Sequence, residues 1–247
     1  MDFTLKKYSQ FLEALKQSGI CFYLRHDVDL LPENSLRIAQ IESELGLSAT
    51  YYFRMVPESY NEGIIREIAN IGHTIGYHYE SLTTCNGDIS AAYKDFCQNL
   101  EKLRQLVPIT RICMHGSPRS QWDSREIWKH YDYHTLGIEY EPYFDTDFSN
   151  TLYITDTGRR WDGYNVSVRD KIPQYQDQWV SQGLIFHTTD DIIAQLTNKN
   201  SPLMQSRLGM LITTHPQRWN PIGFQYFEEF CIQKVKNYIK RYYVGKK

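Results

Sequence analysis

Ile20-Cys21-Phe22-Tyr23-Leu24-Arg25-His26-Asp27-Val28-Asp29 begins as a β-prone run and ends in a cluster of ionisable residues. Pro32 follows at once and opens a helix whose Leu36, Ile38, Ile41 and Leu45 recur at helical spacing, closed by Gly46. A strand that ends in charge and turns into a helix is the unit of parallel α/β architecture. The same unit recurs outward in both directions. Upstream, Thr4 to Gln17 places Leu5, Tyr8, Phe11, Leu12 and Leu15 on one helical face, and Gly19 stops it. Downstream, residues 49–54, 74–79, 109–114, 137–141, 152–155 and 210–214 read as strands. Residues 62–71, 89–107, 124–130, 190–196 and 224–242 read as helices. About seven strands in alternation point to a β/α barrel of parallel strands, with an open doubly wound sheet as the alternative. The region from Glu141 to Ile185 is the least regular. With no repeat, low-complexity tract or Pro/Gly-rich linker, residues 1–247 read as a single domain.

Composition narrows the classes. The chain has 247 residues, 41% of them hydrophobic, which is enough to build a sizeable core. A formal net charge of −2 gives no overall attraction to nucleic acid, and no basic strip coincides with a groove-entering helix, so no nucleic-acid partner is expected. No apolar stretch is long enough to cross a bilayer, and the N-terminus shows no secretory signal. The five cysteines, Cys21, Cys85, Cys97, Cys113 and Cys231, are odd in number and scattered, which fits a reducing cytoplasm. The last helix carries Lys234, Lys236, Lys240, Arg241, Lys246 and Lys247. It reads as a solvated face with cations near its C-terminus, a membrane-surface role being the alternative.

The ionisable residues gather at strand ends: Asp27 and Asp29, His78 and Glu80, His115, Asp156, and His215. In parallel α/β folds that is where chemistry is placed, because the loops there vary on a rigid frame. Strand periodicity puts Asp27 and Asp29 on one face, about 7 Å apart. Two such carboxylates repel unless a cation or proton lies near them. One can hold a divalent metal while the other takes a proton from the attacking water, although Asp29 could instead cap the following helix. In Gly72-His73-Thr74-Ile75-Gly76-Tyr77-His78-Tyr79-Glu80, His78 and Glu80 share a face, and with Asp29 they form a His/carboxylate set suited to zinc, iron or another first-row metal. His73, at odd separation, reads as a buried or hydrogen-bonded histidine. His215 ends the apolar strand Met210–Thr214 before Pro216, and suits a general acid or a structural histidine capped by the turn. Asp156 could accept a hydrogen bond from that imidazole, or hold the turn at Gly158. Arg119 could pair with Asp27, or lie at the surface. Trp161, Trp219 and Tyr143 could stack on a sugar ring or pack in the core.

The order of these motifs resembles the polysaccharide deacetylases, the NodB-homology carbohydrate esterases, in a branch whose first motif is His-Asp-x-Asp. His26-Asp27-Val28-Asp29 matches the first motif, Gly72 to Glu80 the second, and Leu211 to His215 the last. His115-Gly116-Ser117-Pro118 sits where the family has a groove motif, and Asp156 to Trp161 resembles the Asp/Trp motif. The resemblance implies a distorted seven-stranded (β/α) barrel and metal-dependent removal of an N-acyl group, acetyl first among them, from a sugar or glycan precursor. It implies Asp27 as base, Asp29 and His78 as ligands to one divalent metal, zinc first among the candidates, and His215 as acid, with His115, Arg119 and Trp161 toward substrate. The family's second metal histidine falls four residues after the first, where this chain has Leu82. Glu80, on the face of His78, is then the favoured third ligand and His115 its rival. A metal-free sugar-binding relic, or a metal-dependent amidase or esterase on a non-sugar substrate, are the alternative functions. A cytoplasmic protein would meet a nucleotide- or lipid-linked precursor rather than finished cell wall.

Overall fold

The computed structural model describes residues 1–117, 120–163, 167 and 169–244. Six strands are present among them: β1 (Phe22–Val28), β2 (Thr50–Phe53), β3 (Thr74–Tyr79), β4 (Ile112–Met114), β5 (Thr151–Thr155) and β6 (Gly209–Thr214). The class is α/β with parallel strands, as the alternation of elements predicts, with six strands in place of about seven. The strand expected over residues 137–141 is reduced to one bridge, Arg111 with Tyr140. Gly137 ends a 3₁₀ turn in the left-handed region, and the Glu141 side chain caps the short Pro142–Asp145 helix. Turn and cap leave room for only two ladder bonds, Glu139 N to Thr110 O and Ile112 N to Tyr140 O.

The chain divides into two compact units, and β1 passes from one to the other at Arg25 and His26. The unit formed by residues 26–43 and 48–146 contains the end of β1 and strands β2 to β4, in the order β4-β3-β2-β1. Register pairs Tyr52 with Gly76 and His78 with Cys113. The helix Ile89–Arg104 buries Ala92, Phe96, Leu100 and Leu103, one face at i, i+4, i+8 and i+11. Phe96 meets Tyr77 and Tyr79 of β3, with ring centroids 5.1 and 5.4 Å away. Alternation then turns Gly76 and His78 to the opposite face of β3. Gly76 is required there, because a Cβ would overlap the Tyr52 ring. Leu82 is buried in a separate apolar cluster with Ala92 and Ile127, packed by Trp122 and Trp128.

The other unit comprises residues 1–25, 44–47 and 147–247. Its strand order is β1-β6-β5, with β5 and β6 parallel and in register from Thr151 with Gly209 to Thr155 with Thr213. The helix Leu5–Ser18 is capped by the Thr4 side chain and ended by Gly19 in the left-handed region, and it buries Tyr8, Phe11, Leu12 and Leu15. Tyr8, Phe11 and Phe3 pack on Trp161 and Trp219, an aromatic core whose ring centroids lie 4.9 to 6.1 Å apart.

Candidate metal centre

Strand ends β1, β3 and β4 bring Asp27, Asp29, His78 and His115 together. Backbone pairing positions the last of these: the His115 N–H donates to the Tyr79 carbonyl at 2.8 Å, which sets His115 beside Glu80. His78 Nδ1–H donates to the Cys113 carbonyl at 2.9 Å. Its Nε2 lone pair is thereby fixed toward the acids, 3.6 Å from Asp29 Oδ1 and 3.7 Å from Asp27 Oδ2. His115 Nδ1 lies 2.8 Å from Glu80 Oε2, and its Nε2 lies 3.5 Å from the same Asp29 oxygen.

The state of Glu80 decides what His115 offers. Burial alone would raise the Glu80 pKa, but the hydrogen bond and charge of His115 and the guanidinium of Arg54 outweigh it and bring the value down to about 2. Arg54 donates to Glu80 Oε1 through Nε at 3.0 Å and Nη2 at 2.7 Å, and through Nη1 to the Asp29 carbonyl at 3.2 Å. Glu80 is thus an anion at neutral pH and can only accept, so Nδ1 of His115 is the donor and Nε2 is the nitrogen turned to Asp29. Ser59 secures Arg54 in turn, accepting from its backbone N–H and donating to the Val28 carbonyl.

Asp29 Oδ1, His78 Nε2 and His115 Nε2 form a group whose ligand atoms all lie within 4.8 Å of one another. Donors at about 2.1 Å from a common tetrahedral centre stand roughly 3.4 Å apart, so the 3.5 and 3.6 Å separations fit a first-row divalent ion such as zinc. A second group, Asp27, His78 and Cys113, shares the same histidine. Two imidazoles, each held through Nδ1 by an oxygen acceptor, and one carboxylate are the donor chemistry such an ion takes.

The remaining expected residues lie as follows. His73 is buried, donating through Nε2 to the Ala39 carbonyl at 2.9 Å and accepting at Nδ1 from the Ala49 N–H at 3.2 Å. Burial lowers its pKa, and both ring nitrogens are engaged in the frame. Tyr143 lies under the Arg125 guanidinium, 4.9 Å from the ring centroid. Arg119 lies outside the described residues. His26 points to the other side of β1, where Nε2 is 2.8 Å from Glu42 and the ring stacks on Tyr51; Tyr51 donates to the second Glu42 oxygen at 2.6 Å. Sequence reading missed Arg54, although it follows β2 as directly as Asp29 follows β1. It also missed the Glu42 network, whose residues sit on a helix and two strands with no shared spacing.

In the other unit, His215 Nδ1 lies 2.7 Å from Asp156 Oδ1, and the His215 backbone N–H donates to Oδ2 at 2.9 Å. Trp219 Nε1–H donates to Oδ2 at 2.8 Å, and Arg218 Nη1 to Oδ1 at 2.6 Å. Burial alone would raise the Asp156 pKa, yet Arg218 and His215 outweigh it and hold the carboxyl below the usual range. His215 Nδ1 also lies 2.6 Å from Arg218 Nη1, and its Nε2 lies 3.8 Å from Asp170 Oδ2. Trp161 is 4% exposed, donates to Thr189 and is covered by Phe3 and Phe11. It packs in the aromatic core, and Trp219 is buried likewise.

No protein-family model matches the chain, nor does any curated protein. Among solved structures, a CE4 esterase of Streptococcus mutans aligns at a TM-score of 0.45 and 13% identity, over 100% of this chain and 89% of that one. A mutant of the peptidoglycan deacetylase PdaC from Bacillus subtilis aligns at 0.40 and 12%, over 90% of this chain and 96% of its own. The T48 deacetylase with substrate aligns at 0.36 and 11%, over 79% and 88%.

Proposed function

We propose that the chain is a metal-dependent hydrolase that removes an N-acyl group, acetyl first among them, from a sugar-containing substrate. The observation that supports this most is the pair of 3.5 and 3.6 Å separations that join one oxygen of Asp29 to two imidazole lone pairs. Asp29, His78 and His115 would hold the ion, with Glu80 orienting His115 through Nδ1. A divalent ion bound there supplies Lewis acidity, polarising the acyl carbonyl and making a water molecule easier to deprotonate.

Asp27 is the base. It is almost fully buried and 3.7 Å from His78 Nε2, so its carboxylate is positioned by the frame rather than by solvent. It accepts the proton of the attacking water. Arg54 and Glu80 neutralise each other beside the site and keep their charges fixed while Asp27 changes its own. All five cysteines are free, with Cys21 and Cys231 exposed, which supports a reducing cytoplasm and a nucleotide- or lipid-linked precursor as substrate.

Acetate release tests this, with N-acetyl sugars, simple acyl amides and aryl esters compared side by side. The reading expects N-acetyl sugars to be the preferred class, activity lost to a chelator and restored by zinc or another divalent ion. Asp27→Asn should lower kcat by a factor on the order of 10²–10⁴ with metal content unchanged. Activity indifferent to chelation, or Asp27→Asn near the wild-type rate, refutes it; preference for aryl esters moves the substrate class.

A further inference from the structure

The helix Phe224–Val244 is mounted with its apolar stripe outward. At about 100° per residue, Phe224, Phe227, Cys231, Val235 and Tyr238 fall within an arc of roughly 80°. All five are exposed, Phe224 at 81% and Tyr238 at 78%. The opposite arc faces the protein and is more polar: Tyr226 and Gln233 are buried there, Gln233 bonds Asn237, and Asn237 donates to the Gly158 carbonyl at 2.7 Å. Tyr226 and Phe230 flank the Arg159 guanidinium, which pairs with Glu229. A helix that served only to cover a core would be turned the other way. From Phe230 to the C-terminus the sequence has six cations, Lys234, Lys236, Lys240, Arg241, Lys246 and Lys247, and no Asp or Glu. Lys234 is exposed at one edge of the stripe and Glu228 at the other, and Lys236 is exposed further round the helix.

We propose that this stripe docks on an anionic lipid surface, the aromatic and aliphatic side chains entering the headgroup region while Lys234 and the cations that follow it in the sequence meet lipid phosphates. Charge complementarity chooses this occupant. A second copy of the chain would bring the same cation-rich half to the contact, whereas an anionic bilayer offers the opposite charge to the half of the helix that follows Phe230. No helix among the described residues is long and apolar enough to cross a membrane, so the contact is one of docking in the interface plane. The inference rests on this helix alone and stands whether or not the chain is a hydrolase.

Co-sedimentation of the full chain with phosphatidylcholine vesicles, with and without phosphatidylglycerol, tests it; light scattering reports the mass of the free protein. Wild type should sediment with the anionic vesicles and remain in solution with the neutral ones, and binding should fall as salt rises. Phe227→Glu with Val235→Glu should abolish binding, and Lys234→Gln with Lys236→Gln should weaken it on the order of 25-fold. Both pairs alter exposed side chains, and unchanged circular dichroism verifies that they fold. Three results overturn the proposal: no binding to anionic vesicles, equal binding to neutral ones, or a wild-type dimer that Phe227→Glu with Val235→Glu makes monomeric and that ignores vesicles.

Discussion

Replacing Glu80 by glutamine separates its two conceivable roles, metal ligand and holder of His115. The amide keeps one oxygen acceptor but loses the charge that pairs with Arg54 and fixes the Nδ1 proton of His115. The Glu80 pKa is depressed from 4.5 to about 2, and at 1.36 kcal/mol per unit this amounts to roughly 3 kcal/mol of preference for the anion. Part of that comes from a charged His115. When the imidazole is neutral the Arg54 pairing remains, so a stability loss of about 1–2 kcal/mol is expected at pH 7. The sign follows from the depressed folded value: the contribution is complete above pH 4.5 and is lost as pH falls toward about 2. Urea unfolding of wild type and Glu80→Gln should therefore differ at pH 7 and converge below pH 3. As an orienting group, Glu80 should affect metal affinity only 10–100-fold when changed, the usual effect of a partner behind a ligating histidine. Competition against a chromophoric zinc chelator measures this, and X-ray absorption of the zinc-loaded protein counts imidazoles. Two imidazoles in both proteins, with weakened binding in the variant, is the expected result. One imidazole in wild type, or stoichiometric zinc in His115→Ala but none in Glu80→Gln, would show that Glu80 is itself the ligand.

Three further outcomes follow from the packing. Gly76→Ala drives a methyl group into the Tyr52 ring, and thermal unfolding should report a loss of about 1–3 kcal/mol, or roughly 3–10 °C in Tm. Glu42→Ala strands His26 and Tyr51 without their shared acceptor; a loss of about 3–5 kcal/mol is expected in urea unfolding, and one below 1 kcal/mol would show that the network contributes little. Asp156→Asn removes a carboxylate whose pKa is held low, so the stability it adds is present above its unfolded pKa and disappears as pH falls through the folded one. The variant should lose about 3 kcal/mol at pH 7 and show a flatter acid limb in pH-dependent unfolding.

Strands with their apolar runs were legible in the sequence wherever β-branched and aromatic residues met a polar strand end: β3 begins and ends where Thr74 and Tyr79 predict. The strand at 137–141 failed because turn chemistry at Gly137 and the cap at Glu141 compete for the same five residues, and a propensity reading gives local hydrogen bonding too little weight. Within the site, period-two alternation put Asp27 with Asp29 and His78 with Glu80, yet alternation describes one strand at a time. It could not rank His115 against Glu80, because that depends on the register between β3 and β4. Nor could it find Arg54, whose role depends on the carboxylate it meets across strands.

The same register explains how the chain accommodates Leu82. A histidine four residues after His78 would project from the Ser81–Thr84 turn, and here that position is committed to an apolar cluster with Ala92 and Ile127. Exchanging leucine for a charged or hydrogen-bonding ring would leave Trp122 and Trp128 packed against a polar group. On the proposed reading, a second imidazole then comes from another strand end. β4 pairs His78 with Cys113, so the residue two further along, His115, lies level with Glu80 and one strand spacing, about 4.8 Å, to the side. At that separation a side chain from either strand can reach a common centre, and the residue between them need only hold the ring. Glu80 does so with a carboxylate that Arg54 keeps ionised, and on the function proposed above the neighbouring strand supplies the second imidazole.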